Sequence, residues 1–299
     1  MFEEQPLVFD CAGDRLLGVL SRPQAAAQAS QLAVLVVVGG PQYRAGSHRQ
    51  FVQLARALAS AGHSCLRFDV RGMGDSTGEP RHFENLDEDL RAAIDALMQH
   101  APHVRGVALA GLCDGASAAL MYVERQRDSR VAALCLLNPW LRSEEGLARA
   151  QLKHYYWQRA LSPEFWRKAL SGGLSRSALS GFLQTMGKGL KRGSGQRQEG
   201  SNAGADFKET MRSGCARFGG PILVALSESD LTAREFAEQA ASDPGWLQAL
   251  ARGSVQKLHL ADADHTLSTA EHRVTFEEAL IGFLRGCTAQ TSPWATPSR

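Results

Sequence analysis

Three residues able to share one proton stand at comparable places in this chain. Cys113, Asp230 and His265 each follow an apolar stretch that reads as a parallel strand, just where the strand gives way to a loop. A thiol attacking an acyl carbon needs a base. An imidazole can be that base because its ordinary pKa is about 6.5. A carboxylate then fixes the imidazole tautomer and stabilises the cation that forms. Cys113 sits in Gly111-Leu112-Cys113-Asp114-Gly115, between a β-rich apolar run and the alanine-rich stretch from Ala116 to Met121. Glycines without a Cβ let strand and helix close on each other while the central residue is held in a strained backbone conformation. A helix start and a cationic imidazole would lower a thiol from its ordinary value of about 8.5, allowing a resting Cys–His ion pair. The same pentapeptide also fits a buried structural cysteine in a tight turn. Glu228, Asp262 and Asp264 lie close enough in sequence to be alternative partners for His265.

Acyl transfer also needs donors for a developing oxyanion. The amide of Asp114, next after the cysteine, is one. The loop Gly39-Gly40-Pro41-Gln42 after the third strand should give the other. Pro41 has no N–H, so Gly40 is expected there, with Gln42 as the fallback.

The elements that must position these groups follow from hydrophobic period. Leu7 to Cys11 and Arg15 to Ser21, around Gly13-Asp14, read as an antiparallel hairpin. Strands are expected at Leu32 to Val38, Ser64 to Val70, the run ending at Gly111, Val131 to Pro139, Pro221 to Ser227 and Val255 to Leu260, with Leu32 to Val38 and Val131 to Pro139 reading as buried. Helical spacing recurs between them, at Phe51 to Leu58, Leu86 to Met98, Ala233 to Ala241, Trp246 to Ala251 and Ala270 to Arg285. Alternating strands and helices call for an α/β fold with a mostly parallel sheet covered on both faces. In such sheets the carboxyl edge is where sites gather.

The pattern breaks between Trp140 and Gly219. Tyr155, Tyr156, Trp157, Phe165 and Trp166 suggest amphipathic helices, and the Gly/Ser-rich tract that follows carries Lys188, Lys191, Arg192 and Arg197. We read 1–139 and 220–287 as two parts of one core, 140–219 as a helical cap with a flexible basic segment, and 288–299 as a disordered tail. The basic tract could attract an anionic acyl substrate or a membrane surface, or be a solvated loop. His154 beside the aromatic run fits helix packing. His48, Arg49 and Tyr43 could line an entrance, and Asp69 with Arg71 are expected to brace the loop after the fourth strand.

The 299 residues are 44 % hydrophobic and 21 % charged with net charge +2, ordinary for a soluble protein and without a case for nucleic acid. The start lacks the basic and apolar regions of a signal peptide. The six cysteines show no C-x-x-C pair, so neither a zinc site, another metal site nor a disulfide framework is expected, and a reducing, cytoplasmic setting fits.

Together the G-x-C-x-G turn, Val38-Gly39-Gly40-Pro41, the loop Asp69-Val70-Arg71-Gly72-Met73-Gly74-Asp75-Ser76, Ser227-Glu228-Ser229-Asp230 and Asp262-Ala263-Asp264-His265-Thr266 resemble an α/β-hydrolase. The resemblance implies an eight-stranded, mostly parallel sheet with an N-terminal antiparallel hairpin and a helical cap, and a nucleophile elbow with cysteine in place of the usual serine. More narrowly, Val38 to Arg44, Gly46 to Gln50, Gly111 to Gly115 and Leu137 to Trp140 resemble the exosortase A system-associated hydrolases of type 1, found with bacterial exopolysaccharide and protein-sorting loci. Val38 stands where many relatives carry histidine. The expected activity is hydrolysis of a small-molecule ester or thioester through an acyl-enzyme, with no cofactor. An acyltransferase with the same Cys113, His265 and Asp230, or a non-catalytic scaffold that keeps the fold, are the alternatives.

Overall fold

The computed structural model describes residues 1–24, 29–40, 42–141 and 201–287, with residues 201–206 described by their backbone alone. Most of the expected cap, including His154, the aromatic run and the basic tract, lies outside the described residues, as does the tail.

Eight strands form one sheet: β1 (Phe2–Cys11), β2 (Asp14–Pro23), β3 (Leu32–Val37), β4 (Cys65–Phe68), β5 (Gly106–Leu112), β6 (Val131–Leu137), β7 (Ile222–Ser227) and β8 (Val255–Leu260). Their spatial order is β1-β2-β4-β3-β5-β6-β7-β8. β1 pairs antiparallel with β2, and β2 with β4; every other pairing is parallel. Helices are α1 (Gln50–Ser60), α2 (Asp87–His100), α3 (Asp114–Gln126), α4 (Ser201–Arg217), α5 (Leu231–Ser242), α6 (Pro244–Leu250) and α7 (Ala270–Gly286).

The pleat of the central strands explains the layering. Along β3, Ala33, Leu35 and Val37 join one apolar cluster, while Leu32, Val34 and Val36 join the other on the opposite face. The first cluster packs the sheet against α2, α3, α4, α5 and α6, through residues such as Ile94, Tyr122, Met211, Phe236 and Trp246. The second packs it against α1 and α7, through Phe51, Leu58, Leu280 and Phe283. Every residue of β3, β5 and β6 is buried, as a strand covered on both faces requires.

Several boundaries differ from the sequence reading for local reasons. The hairpin is longer, because Glu3, Glu4 and Gln5 complete an edge strand in register with Arg22, Ser21 and Leu20. α5 and α6 each start early, where Asp230 and Asp243 cap the free amides and Pro244 supplies a fixed φ. Among the described residues, 1–141 and 207–287 form one compact unit. The second core segment thus begins at Phe207 rather than at 220, since Phe207, Met211, Cys215 and Phe218 are buried in the first cluster. No helix among the described residues is long and apolar enough to cross a membrane.

Candidate functional site at the carboxyl edge of the sheet

Cys113 follows β5 directly and caps α3 with φ 60° and ψ −125°, a strained conformation for a residue with a side chain. Its surroundings fix that conformation. The Cys113 N–H donates to Leu137 O at 2.9 Å, and its carbonyl accepts from Ala116 N at 3.1 Å and Trp140 N at 3.2 Å. The buried Ser117 hydroxyl donates to Trp140 O at 2.5 Å, tying the loop after β6 to α3. The glycines are required by contact. A Cβ on Gly111 would lie 2.5 Å from Ala116 N, and one on Gly115 would lie 2.4 Å from Val37 O.

The thiol is half-buried rather than sealed. Burial is the main force that pushes its pKa up to about 12; the negative charges of Asp114 and Asp230 add to the rise, against a hydrogen bond from the Asp114 amide. Burial therefore works against the resting Cys–His ion pair that the sequence allows, and outweighs the favourable helix start.

Asp230, buried, closes the loop after β7 and caps α5, accepting from Thr232 N and Ala233 N at 3.1 Å each. Its Oδ2 lies 2.8 Å from His265 Nδ1. A carboxylate can only accept, so Nδ1 donates and Nε2 is left as the basic nitrogen. The other carboxylates are engaged elsewhere. Glu228 Oε2 accepts from Asp262 N at 3.1 Å, and Asp264 accepts from Thr266 N and Ser268 N at 3.0 Å each. Asp230 is thus the carboxylate that the structure brings to the imidazole.

Asn138 laces these loops together, and the sequence reading gave it no role. Fully buried at φ 48°, it donates from Nδ2 to Ser227 Oγ at 3.0 Å and to His265 O at 3.3 Å. Its Oδ1 accepts from Ser227 N at 2.8 Å. An asparagine directly before proline at the end of an apolar run was the available signal, since Asn tolerates the left-handed region.

Across the turn, Gly40 adopts φ 63° and its N–H donates to Asp114 Oδ1 at 2.5 Å. The Gln42 N–H donates to Gly40 O at 2.8 Å, and the Gln42 side chain accepts from Ser47 N at 3.2 Å. Both amides expected from the loop are therefore already hydrogen-bonded within the protein, whereas the Asp114 amide favours the charged form of the Cys113 thiol. Asp69, fully shielded, accepts from the Arg44 N–H, from Asp75 N and from the Arg44 guanidinium, so it joins the loops after β3 and β4. Arg71 is buried against Asp89, with Nε and Nη2 at 3.0 and 2.8 Å from Oδ2. Tyr43 is exposed, while His48 and Arg49 carry the positive φ angles at the entry to α1. Among the described residues, no group of three or more His, Cys, Asp and Glu side chains could hold a metal ion.

The family model of the alpha/beta hydrolase fold matches residues 33–268, from β3 to the loop beyond His265. The chain belongs to the alpha/beta hydrolase fold family. Solved structures share this hydrolase architecture. Esterase Pf2001 from Pyrococcus furiosus is 16 % identical, with 96 % of this chain and 93 % of that chain covered at a TM-score of 0.62. Est1E from Butyrivibrio proteoclasticus, solved with ferulic acid bound, is 17 % identical, covering 94 % and 98 % at a TM-score of 0.61. The esterase domain of a Rhodothermus marinus protein is 19 % identical, covering 95 % and 99 % at 0.59. No curated protein matches the chain. At these identities the neighbours establish the hydrolase fold, and the family model identifies the superfamily rather than the narrower exosortase-associated group.

Proposed function

We propose that this alpha/beta hydrolase is a cysteine-dependent esterase or thioesterase working through an acyl-enzyme, with Cys113 as nucleophile, His265 as base and Asp230 as its orienting acid. The observation that supports it most is the 2.8 Å bond from His265 Nδ1 to Asp230 Oδ2, on loops that Asn138 ties to the strand ends beside Cys113. That bond leaves Nε2 ready to accept a proton.

Because the thiol is pushed up to about 12, loss of its proton must accompany attack. The sulfur forms a bond to the acyl carbon while its proton passes to His265. The carbonyl electron pair moves onto oxygen and returns as the leaving alkoxide or thiolate departs with that proton. Water, activated by the same imidazole, then releases the acid and restores the thiol. The amides of Asp114 and Gly40, with Gln42 as the fallback, are proposed to hold the oxyanion.

Cysteine favours thioesters and activated esters, and the esterase names of the structural neighbours agree with an ester-type substrate. The link to exopolysaccharide and exosortase systems rests on the short sequence strings given above. The six free cysteines suit a reducing compartment such as the cytoplasm.

Intact mass spectrometry after brief exposure to p-nitrophenyl acetate tests the reading. An acetyl adduct on the native chain, absent from Cys113→Ala and slow to form on His265→Ala, is expected. An adduct that persists in Cys113→Ala, or none across a panel of esters and thioesters, would leave a scaffold that has kept the hydrolase fold. Release of free acid, against transfer to an added alcohol or amine, separates hydrolysis from acyl transfer.

A further inference from the structure

The side chain of Asp114 is turned back onto the donors that its own amide belongs to. Its carboxylate accepts the Gly40 N–H at 2.5 Å, and the backbone N–H groups of Gly115 and of Asp114 favour its charged form. Gly39 closes over it so tightly that a Cβ there would lie 2.3 Å from Oδ1 and 2.2 Å from Leu112 O. A negative oxygen held by backbone amides at the first turn of a helix is, to those amides, the equivalent of an oxyanion. The carboxyl is half-buried beside the thiol; burial raises its pKa, and the backbone amides and then His82 act in the opposite direction.

We propose that the Asp114 carboxylate fills the oxyanion site of the resting protein, an internal blocker that the carbonyl oxygen of an incoming acyl group must displace. The proposal rests on the reading of Cys113 as nucleophile. Its consequence is a coupling between occupancy and reactivity. While the carboxylate sits on Gly40, the second oxyanion donor is taken and a negative charge stands beside the sulfur, so the thiol stays protonated and unreactive. A carbonyl oxygen that takes over the Gly40 N–H sends the carboxylate toward water and removes that charge in the same event. An acyl group that seats deeply enough to do so is thereby distinguished from water and from small electrophiles that form no oxyanion.

The test compares the native chain with Asp114→Ala and Asp114→Asn, reading acetylation of Cys113 by p-nitrophenyl acetate and, separately, alkylation by iodoacetamide. Removing a charge-assisted hydrogen bond from the site should speed acetylation of Asp114→Ala by about ten- to a hundredfold. Asp114→Asn, neutral yet still able to accept from Gly40, should show a smaller rise. Alkylation needs no oxyanion donor and should rise less than acetylation in both. Acetylation unchanged or slowed in Asp114→Ala, or a rise that alkylation matches in full, overturns the blocker. Should Asp114→Ala fail to fold, Asp114→Asn decides: acetylation that rises more than alkylation supports the blocker, and acetylation that is unchanged, slower or matched by alkylation overturns it. Failure of the nucleophile reading looks different, because labelling by the ester would then be absent from every variant or would survive in Cys113→Ala.

Discussion

At Cys113 two environments compete: a helix start that favours a thiolate, and a half-buried position beside Asp114 and Asp230 that disfavours one. Desolvation wins, and this has a measurable signature. Alkylation of Cys113 by iodoacetamide should keep accelerating from pH 7 to beyond pH 10, whereas a thiolate already formed at rest would give a flat profile over that range. The acid is decided at the same scale. Asp230→Asn should lower acylation by about a hundred- to ten-thousandfold, since the imidazole loses the group that fixes its tautomer. Glu228→Gln should change it little, because Glu228 holds the Asp262 amide instead. The reverse ranking in single-turnover rates would show that the wrong carboxylate had been assigned.

Elements hold these residues by contact rather than by chemistry. The turn between β5 and α3 is closed from the β3 side, where Gly115 has no room for a side chain against Val37 O. Gly115→Ala should therefore lower the melting temperature and slow acylation together, because relief of the clash must move the turn that aims the sulfur. Asn138 does the same work for the other two loops. Asn138→Ala leaves the Ser227 amide and hydroxyl without partners and frees the carbonyl of His265. A cost of about 1–3 kcal/mol in denaturant unfolding is expected, with acylation falling more than iodoacetamide alkylation, since alkylation does not require the imidazole in place. Equal falls would show a general loss of packing instead.

Across the whole molecule, burial acts on every cysteine in the same direction. Cys11, Cys215 and Cys287 are pushed up to about 11, and Cys65, Cys113 and Cys135 to about 12, with desolvation first among the causes each time. The unfolded chain gives up these protons from about pH 8.5 upward while the folded chain keeps them. The folded state then binds more protons, so its stability is fully present below that pH and falls as pH rises toward 11. The denaturant midpoint under reducing conditions should be lower at pH 10 than at pH 7.5, and an unchanged midpoint would contradict the burial. A second global brace is the Arg71–Asp89 pair, both side chains almost fully shielded, which fastens the loop after β4 to α2. Asp89→Ala leaves the shielded guanidinium only the exposed Glu88 carboxylate, at 2.7 Å from Nη2, and should cost about 1–3 kcal/mol in denaturant unfolding.

The continuous apolar runs of β3, β5 and β6, and the helical spacing between them, made the parallel core legible, because each strand and helix is specified by residues adjacent in sequence. The placement of Cys113, Asp230 and His265 beyond the ends of β5, β7 and β8 was legible for the same reason. The full hairpin was not, since Glu3, Glu4 and Gln5 look polar until an edge strand gives them a partner. The sequence favoured Asp230 with Glu228, Asp262 and Asp264 as alternatives, and its bond to His265 turns on how two loops far apart in sequence are laced. The rise of the Cys113 thiol and the hold of Asp114 on Gly40, 74 positions away, likewise depend on burial and close approach between distant segments. Local pattern named the groups; long-range packing set their protons and their partners.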